Sequence, residues 1–198
     1  MKIFLLKETD PLQRYAGFSH VGTWSDGGLC PVCGHSTERL TEPLQVHWEP
    51  GSTLLGDFSW CSYTAVVKPH VKGFFESRFP CRFGTTVVVP PREQFQRVVP
   101  FPYEGPPLHW LICEELVGLD VQRSGVRMLL DCPACNRAFY TFRMSGIVVD
   151  KRRWTGQPMF RVREFEPSAA TYVTEEGRDQ IEQQGFSNFG YIEAGFIA

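Results

Sequence analysis

The chain has 198 residues, 42% hydrophobic and 14% aromatic, enough to fill a packed core without help from a partner. Twenty Lys and Arg oppose 22 Asp and Glu, and this net charge of -2 excludes a global field that would draw the chain onto nucleic acid or anionic lipid. The opening MKIFLLKETD has too short an apolar run for a signal peptide, and no later run reaches membrane-spanning length, so the expected location is cytoplasmic with no membrane partner.

In chain order, residues 2–7 read as an apolar strand, and Asp26, Gly27 and Gly28 as a loop leading to the first cysteine pair. Residues 58–67 are aromatic and β-branched enough for strand structure, 68–77 suit a short helix, and 85–89 are again a strand. Six prolines between Pro90 and Pro107 mark an extended connector, because each removes a backbone donor and fixes φ. This stretch is expected to divide the chain into a first half, 1–89, and a second half, 108–198.

In the second half, 108–119 and 126–130 are apolar, 138–142 alternates as a strand does, and 159–165 alternates apolar with charged residues. Thr174 is an N-cap candidate for a polar helix ending near Gly185, a C-cap candidate, and residues 191–197 form a closing strand. The expected fold is therefore α+β, mainly antiparallel strands with a few short helices, within one double-CxxC domain or two subdomains.

The halves also resemble each other. Each has a CPxC motif, then strands, a helix candidate and a Phe-Gly dipeptide opening a strand, Phe83-Gly84 and Phe189-Gly190. Such order fits a diverged duplication.

Seven cysteines fall as two close pairs, Cys30/Cys33 and Cys132/Cys135, plus isolated Cys61, Cys81 and Cys113, a pattern that suits reduced thiols with a metal better than a disulfide framework. A CxxC turn offers two thiolates from one loop, so two turns complete a tetrahedral shell for a structural Zn2+. Iron in a rubredoxin-like site uses the same ligands. Pro31 and Pro133 preset the turns, Gly34 follows the first pair, and Asn136, which tolerates positive φ, follows the second. The 98 residues between the pairs exceed the usual zinc-ribbon spacing, which leaves dithiol redox chemistry and inert thiols as competitors.

No nucleophile elbow, zinc-protease, phosphate-loop or dinucleotide motif occurs, the histidines are scattered, and the chain does not read as an enzyme. Arg137, Arg143, Lys151, Arg152, Arg153, Arg161 and Arg163 interleave with aromatic residues, so the segment from Arg137 to Arg163 is the candidate surface for a zinc-ribbon-like nucleic-acid binder. Alternating strands would produce the same pattern with aromatics inward and arginines in water, and nucleic acid is the less favoured partner. Glu175, Glu176, Asp179 and Glu182 give the C-terminal helix an acidic face that could steer a basic partner or be simply solvated.

Three features are similar to the double-CxxCG motif proteins of myxobacteria. They are Trp24 through Asp-Gly-Gly into CPVCG, the second motif CPACN with Asn136 in place of glycine, and a closing pattern of Trp154-Thr155-Gly156, Phe160 and TYVTEEGRDQIEQQGFSNFGYIEAG. The resemblance implies a bacterial, cytoplasmic immunity protein, stabilised by a metal, that binds and neutralises a cognate intercellular toxin of the swarm-inhibition lipoprotein kind. It carries over no toxin-contacting residue, and the oligomeric state stays open.

Overall fold

A computed structural model describes residues 1–9, 14–21, 25, 27–36, 40–91, 97–166 and 168–198. Trp24 and Asp26 of the lead-in, and residues 92–96 of the connector, lie outside these. The described chain is α+β, with fourteen strands, mostly antiparallel, and two α-helices.

One six-stranded sheet runs in the order β2 (Phe18–His20), β3 (Leu44–Trp48), β6 (Cys81–Val88), β7 (Leu108–Cys113), β5 (Thr64–Val67), β4 (Phe58–Cys61). The other runs β11 (Ile147–Val149), β14 (Gly190–Ile197), β1 (Lys2–Lys7), β13 (Thr171–Thr174), β12 (Met159–Val162), β8 (Leu116–Val117). A separate hairpin pairs β9 (Met128–Cys132) with β10 (Arg137–Tyr140).

Five strands of each sheet correspond. β3, β6, β7, β5 and β4 match β11, β14, β1, β13 and β12, with the first pair parallel and the next three antiparallel in both. A helix joins the equivalent strands each time: α1 (Pro69–Glu76) between β5 and β6, α2 (Glu175–Glu182) between β13 and β14. Each helix buries the same two positions, Val71 and Phe75 in one, Gly177 and Ile181 in the other. Both Phe-Gly dipeptides keep their glycine for one reason. A Cβ at Gly84 would strike Trp110 of β7, and one at Gly190 would strike Thr9 just after β1, the equivalent strand.

The likeness of the two halves is thus visible as topology. The proline stretch lies between β6 and β7, antiparallel neighbours in one sheet, where Val98, Val99, Phe101 and Tyr103 lie against the core of that sheet. The chain changes sheets between Cys113 and Leu116 instead. β1 supplies from the N-terminus the strand that β7 supplies in the first repeat, so 1–89 and 108–198 do not each form a complete sheet.

This placement explains the apolar run of β1. Ile3 and Leu5 enter the core under the C-terminal sheet, while Phe4 and Leu6 enter the core between the sheets, so both faces are buried. The central core gathers Phe58, Trp60, Val71, Phe75, Phe79, Leu111, Met159, Val173 and Ile181 from both sheets and both helices.

The repeats are also joined at Asp57. Its carboxylate accepts from the Ser187 N–H and hydroxyl, both at 2.9 Å, with Lys68 and His70 beside it at 3.5 and 3.2 Å. Burial alone would raise this carboxyl, but the Ser187 hydrogen bonds, with Lys68 and His70, hold it below its ordinary value of 3.8. A depressed pKa contributes stability that is fully present above the unfolded value and is lost as pH falls through the folded one. Asp57→Asn is therefore expected to cost about 1–2 kcal/mol near neutrality. Urea midpoints should converge with wild type as the pH drops below 4; a gap that persists in acid would show that the charge is not what matters.

Candidate metal centre

Each cysteine pair sits at the tip of a small hairpin, and the two hairpins share one register. Leu29 bridges Ser36 in the first, and Asp131 pairs with Ala138 in the second, positions 102 residues apart in both strands. In the first turn the Gly34 N–H donates to the Cys30 carbonyl at 2.8 Å and the Cys30 N–H to the His35 carbonyl at 2.9 Å. Gly34 adopts φ 71° and Asn136 φ 53°, so asparagine occupies the left-handed position that the turn requires, as its residue type suggested.

The hairpins bring all four sulfurs together, within 4.8 Å of one another. Cys30 Sγ lies 3.8 Å from Cys132 Sγ, and Cys33 Sγ lies 3.8 Å from Cys135 Sγ. Four sulfurs bound at about 2.3 Å in a tetrahedron stand roughly 3.8 Å apart, so the donor set fits a tetrahedral metal ion. Equivalent cysteines of the two repeats face each other, as residues beside a two-fold axis do. The four thiols brought together are those that the sequence offered as metal ligands, Cys30, Cys33, Cys132 and Cys135.

The electrostatics match an ion-binding role. The Cys33 and Val32 backbone N–H groups point at the Cys30 thiol and pull it down to about 6. Cys33 and Cys135 meet a cost for adding charge beside a first thiolate. Burial and then Cys132 push Cys135 up to about 12. At Cys33 the His35 N–H works downward, but burial with Cys30 and Cys132 outweighs it and raises the thiol. A divalent cation reverses this balance by compensating the accumulated charge.

His35 stacks on Phe139 of the facing hairpin, with ring centroids 4.0 Å apart, and its Nδ1 meets the Cys33 carbonyl at 3.2 Å. Arg137 donates to the Ser36 carbonyl. These contacts tie the hairpins directly, around the four thiols.

The isolated cysteines lie away from the cluster. Cys61 and Cys113 are buried and Cys81 half-buried, and burial pushes each up to about 12, so they are poor nucleophiles.

The arginines of 137–163 are largely engaged. Arg152 grips Asp150, Arg153 meets buried Glu164 at 3.3 Å, Arg161 donates to the Cys113 carbonyl and approaches Glu166, and Arg143 donates to the Ser124 carbonyl. Phe160 is fully buried and Phe139 is covered by His35, so neither ring is open to stack on a base. The Arg153–Glu164 pair was not foreseen; its only trace in sequence is an acidic residue on a short apolar segment.

Glu175, Glu176, Asp179 and Glu182 are all exposed on α2, opposite buried Gly177 and Ile181. The Thr174 side chain caps the helix by accepting from the Gly177 N–H at 3.2 Å. Glu175 and Glu176 also suit the positive end of the helix dipole. No helix among the described residues is long and apolar enough to cross a membrane.

No protein-family model matches the chain, and a search of curated proteins returns no match.

Proposed function

We propose that the chain is a binding protein of the cytoplasm, not an enzyme, whose repeats are clamped by one structural Zn2+ on Cys30, Cys33, Cys132 and Cys135, and which neutralises a cognate intercellular toxin. The observation that carries the structural part is the four-thiol cluster at tetrahedral spacing, two ligands from each repeat. Four cysteines fill the shell and leave no open position for a metal-bound water, which favours a structural over a catalytic ion. The toxin-neutralising part rests on the similarity of the CPVCG, CPACN and C-terminal motifs to the double-CxxCG immunity proteins.

The engaged arginines argue against the nucleic-acid alternative. The exposed acidic face of α2 is the partner surface to test first. Producing the chain in recipient cells is expected to protect them from donor cells that deliver swarm-inhibition lipoprotein toxins, scored by survival in mixed culture. Reversing Glu175, Glu176, Asp179 and Glu182 to lysine should abolish that protection while metal content and circular dichroism stay unchanged. Protection that survives the reversal would remove α2 from the interface. Salt-dependent RNA binding without any protection would overturn the toxin reading itself.

A further inference from the structure

Beside the C-terminal end of α2 a cleft of about 280 Å³ is lined by Ile181, Glu182, Phe186, Phe189 and Tyr191, with Gly185 and Gly190 completing it. We infer that this cleft is an aromatic cage for a lysine side chain presented by a protein partner. The inference deepens the toxin-binding reading and rests on it for the identity of the partner; the cage chemistry does not.

The rings are half-buried, so each is anchored in the core while part of it faces the cleft. Phe189 and Tyr191 stand nearly perpendicular, with centroids 5.1 Å apart and planes at 86°. Phe186 leans on Phe58, Phe74 and Phe75, and Phe189 lies 4.3 Å from Phe58, so these walls are backed by buried aromatic rings and are held in place before any ligand arrives. The Tyr191 hydroxyl is tied to the Arg178 carbonyl at 3.3 Å, which fixes the third ring.

Charge selects the occupant. Burial first, then the carboxylates of Glu182 and Asp179, hold the Tyr191 phenol well above its ordinary range, against the opposing charge of Arg178. Arg178 is itself occupied, paired with Asp179 at 2.6 Å and lying over the Phe4 ring at 4.3 Å. Glu182 is exposed and has no ion-pair partner among the described residues. Aromatic faces attract cations, and a carboxylate at the rim adds a charged hydrogen-bond acceptor. A compact ammonium can face two perpendicular rings at once, whereas a planar guanidinium stacks on one, which favours lysine over arginine. The aliphatic stem of lysine suits the aromatic walls of the cleft.

The test uses the full chain and N-acetyl-lysine methylamide, with N-acetyl-norleucine methylamide as the uncharged control, followed by NMR shifts of the Phe186, Phe189 and Tyr191 rings. Saturable binding in the millimolar range by the lysine probe alone is expected. Glu182→Gln, an exposed change that leaves the core intact, should weaken it about tenfold. Phe186→Ala should abolish it, with the rest of the spectrum reporting that the chain is folded. Equal binding of norleucine, no saturable shift with lysine, or an unchanged affinity in Glu182→Gln would each overturn the cage. Because the probe is not a toxin, failure here leaves the toxin reading standing, and loss of cellular protection leaves the cage standing.

Discussion

Cys132→Ser is expected to strip the metal from the protein and unfold most of its tertiary structure in one step. A structural zinc site is worth about 10–16 kcal/mol, as large as the net stability of about 5–15 kcal/mol of a whole domain. Cys132 is buried, with its sulfur 3.8 Å from that of Cys30, so losing it leaves three thiols of the other ligands crowded together without their cation. The cluster joins the repeats alongside the central core they share, so the consequence should extend to both sheets. Elemental mass spectrometry and near-ultraviolet circular dichroism on wild type and variant measure it. One zinc per wild-type chain, lost with the tertiary signal in the variant, is the expected result. A variant that keeps its fold without metal would make the cluster dispensable. Iron in place of zinc would keep the clamp and change the ion.

Phe58→Ala should destabilise the protein nearly as sharply, by about 3–5 kcal/mol. Phe58 is fully buried and packs its ring against Trp60, Phe75, Phe186 and Phe189, at centroid distances of 6.0, 5.8, 5.8 and 4.3 Å. These neighbours come from β4, from α1 and from the approach to β14, so they cannot all collapse into the vacated space. Melting temperature should fall by roughly 10 °C. Metal content should remain that of wild type, because Phe58 lies in the core between the sheets and not among the ligating hairpins. This separates core loss from metal loss. A drop below about 1 kcal/mol would mean that the aromatic cluster repacks freely.

Local features of this fold were legible because local chemistry decides them. Thr174 and Gly185 bound α2, with Gly185 at φ 64°, since a hydroxyl satisfies an orphan N–H and glycine tolerates the left-handed exit. The two CPxC turns, including Asn136 at positive φ, followed from the same reasoning. Residues 58–67 read as strand structure, and they form a hairpin of β4 and β5 that turns at Ser62 with φ 54°. No Gly, Pro or Asn marks that turn, and Ser62 by itself is a weak turn signal. β3 could have been found, because LQVHW alternates buried and half-buried positions. β2 and β11 have three residues each, too few for any period to show.

What the sequence determined by itself is the set of parts: the α+β composition, both helices, the thiol pairs and the order shared by the two repeats. Only the tertiary structure decided which strands complete which sheet. β1 takes the place beside β14 that β7 takes beside β6, a pairing between residues nearly the whole chain apart. The apolar run of β1 shows that both its faces are buried, yet any two-sided core would satisfy it equally. The spacing of the four sulfurs likewise depends on two hairpins 102 residues apart meeting in register, and that meeting is set by the packing of the repeats rather than by either motif.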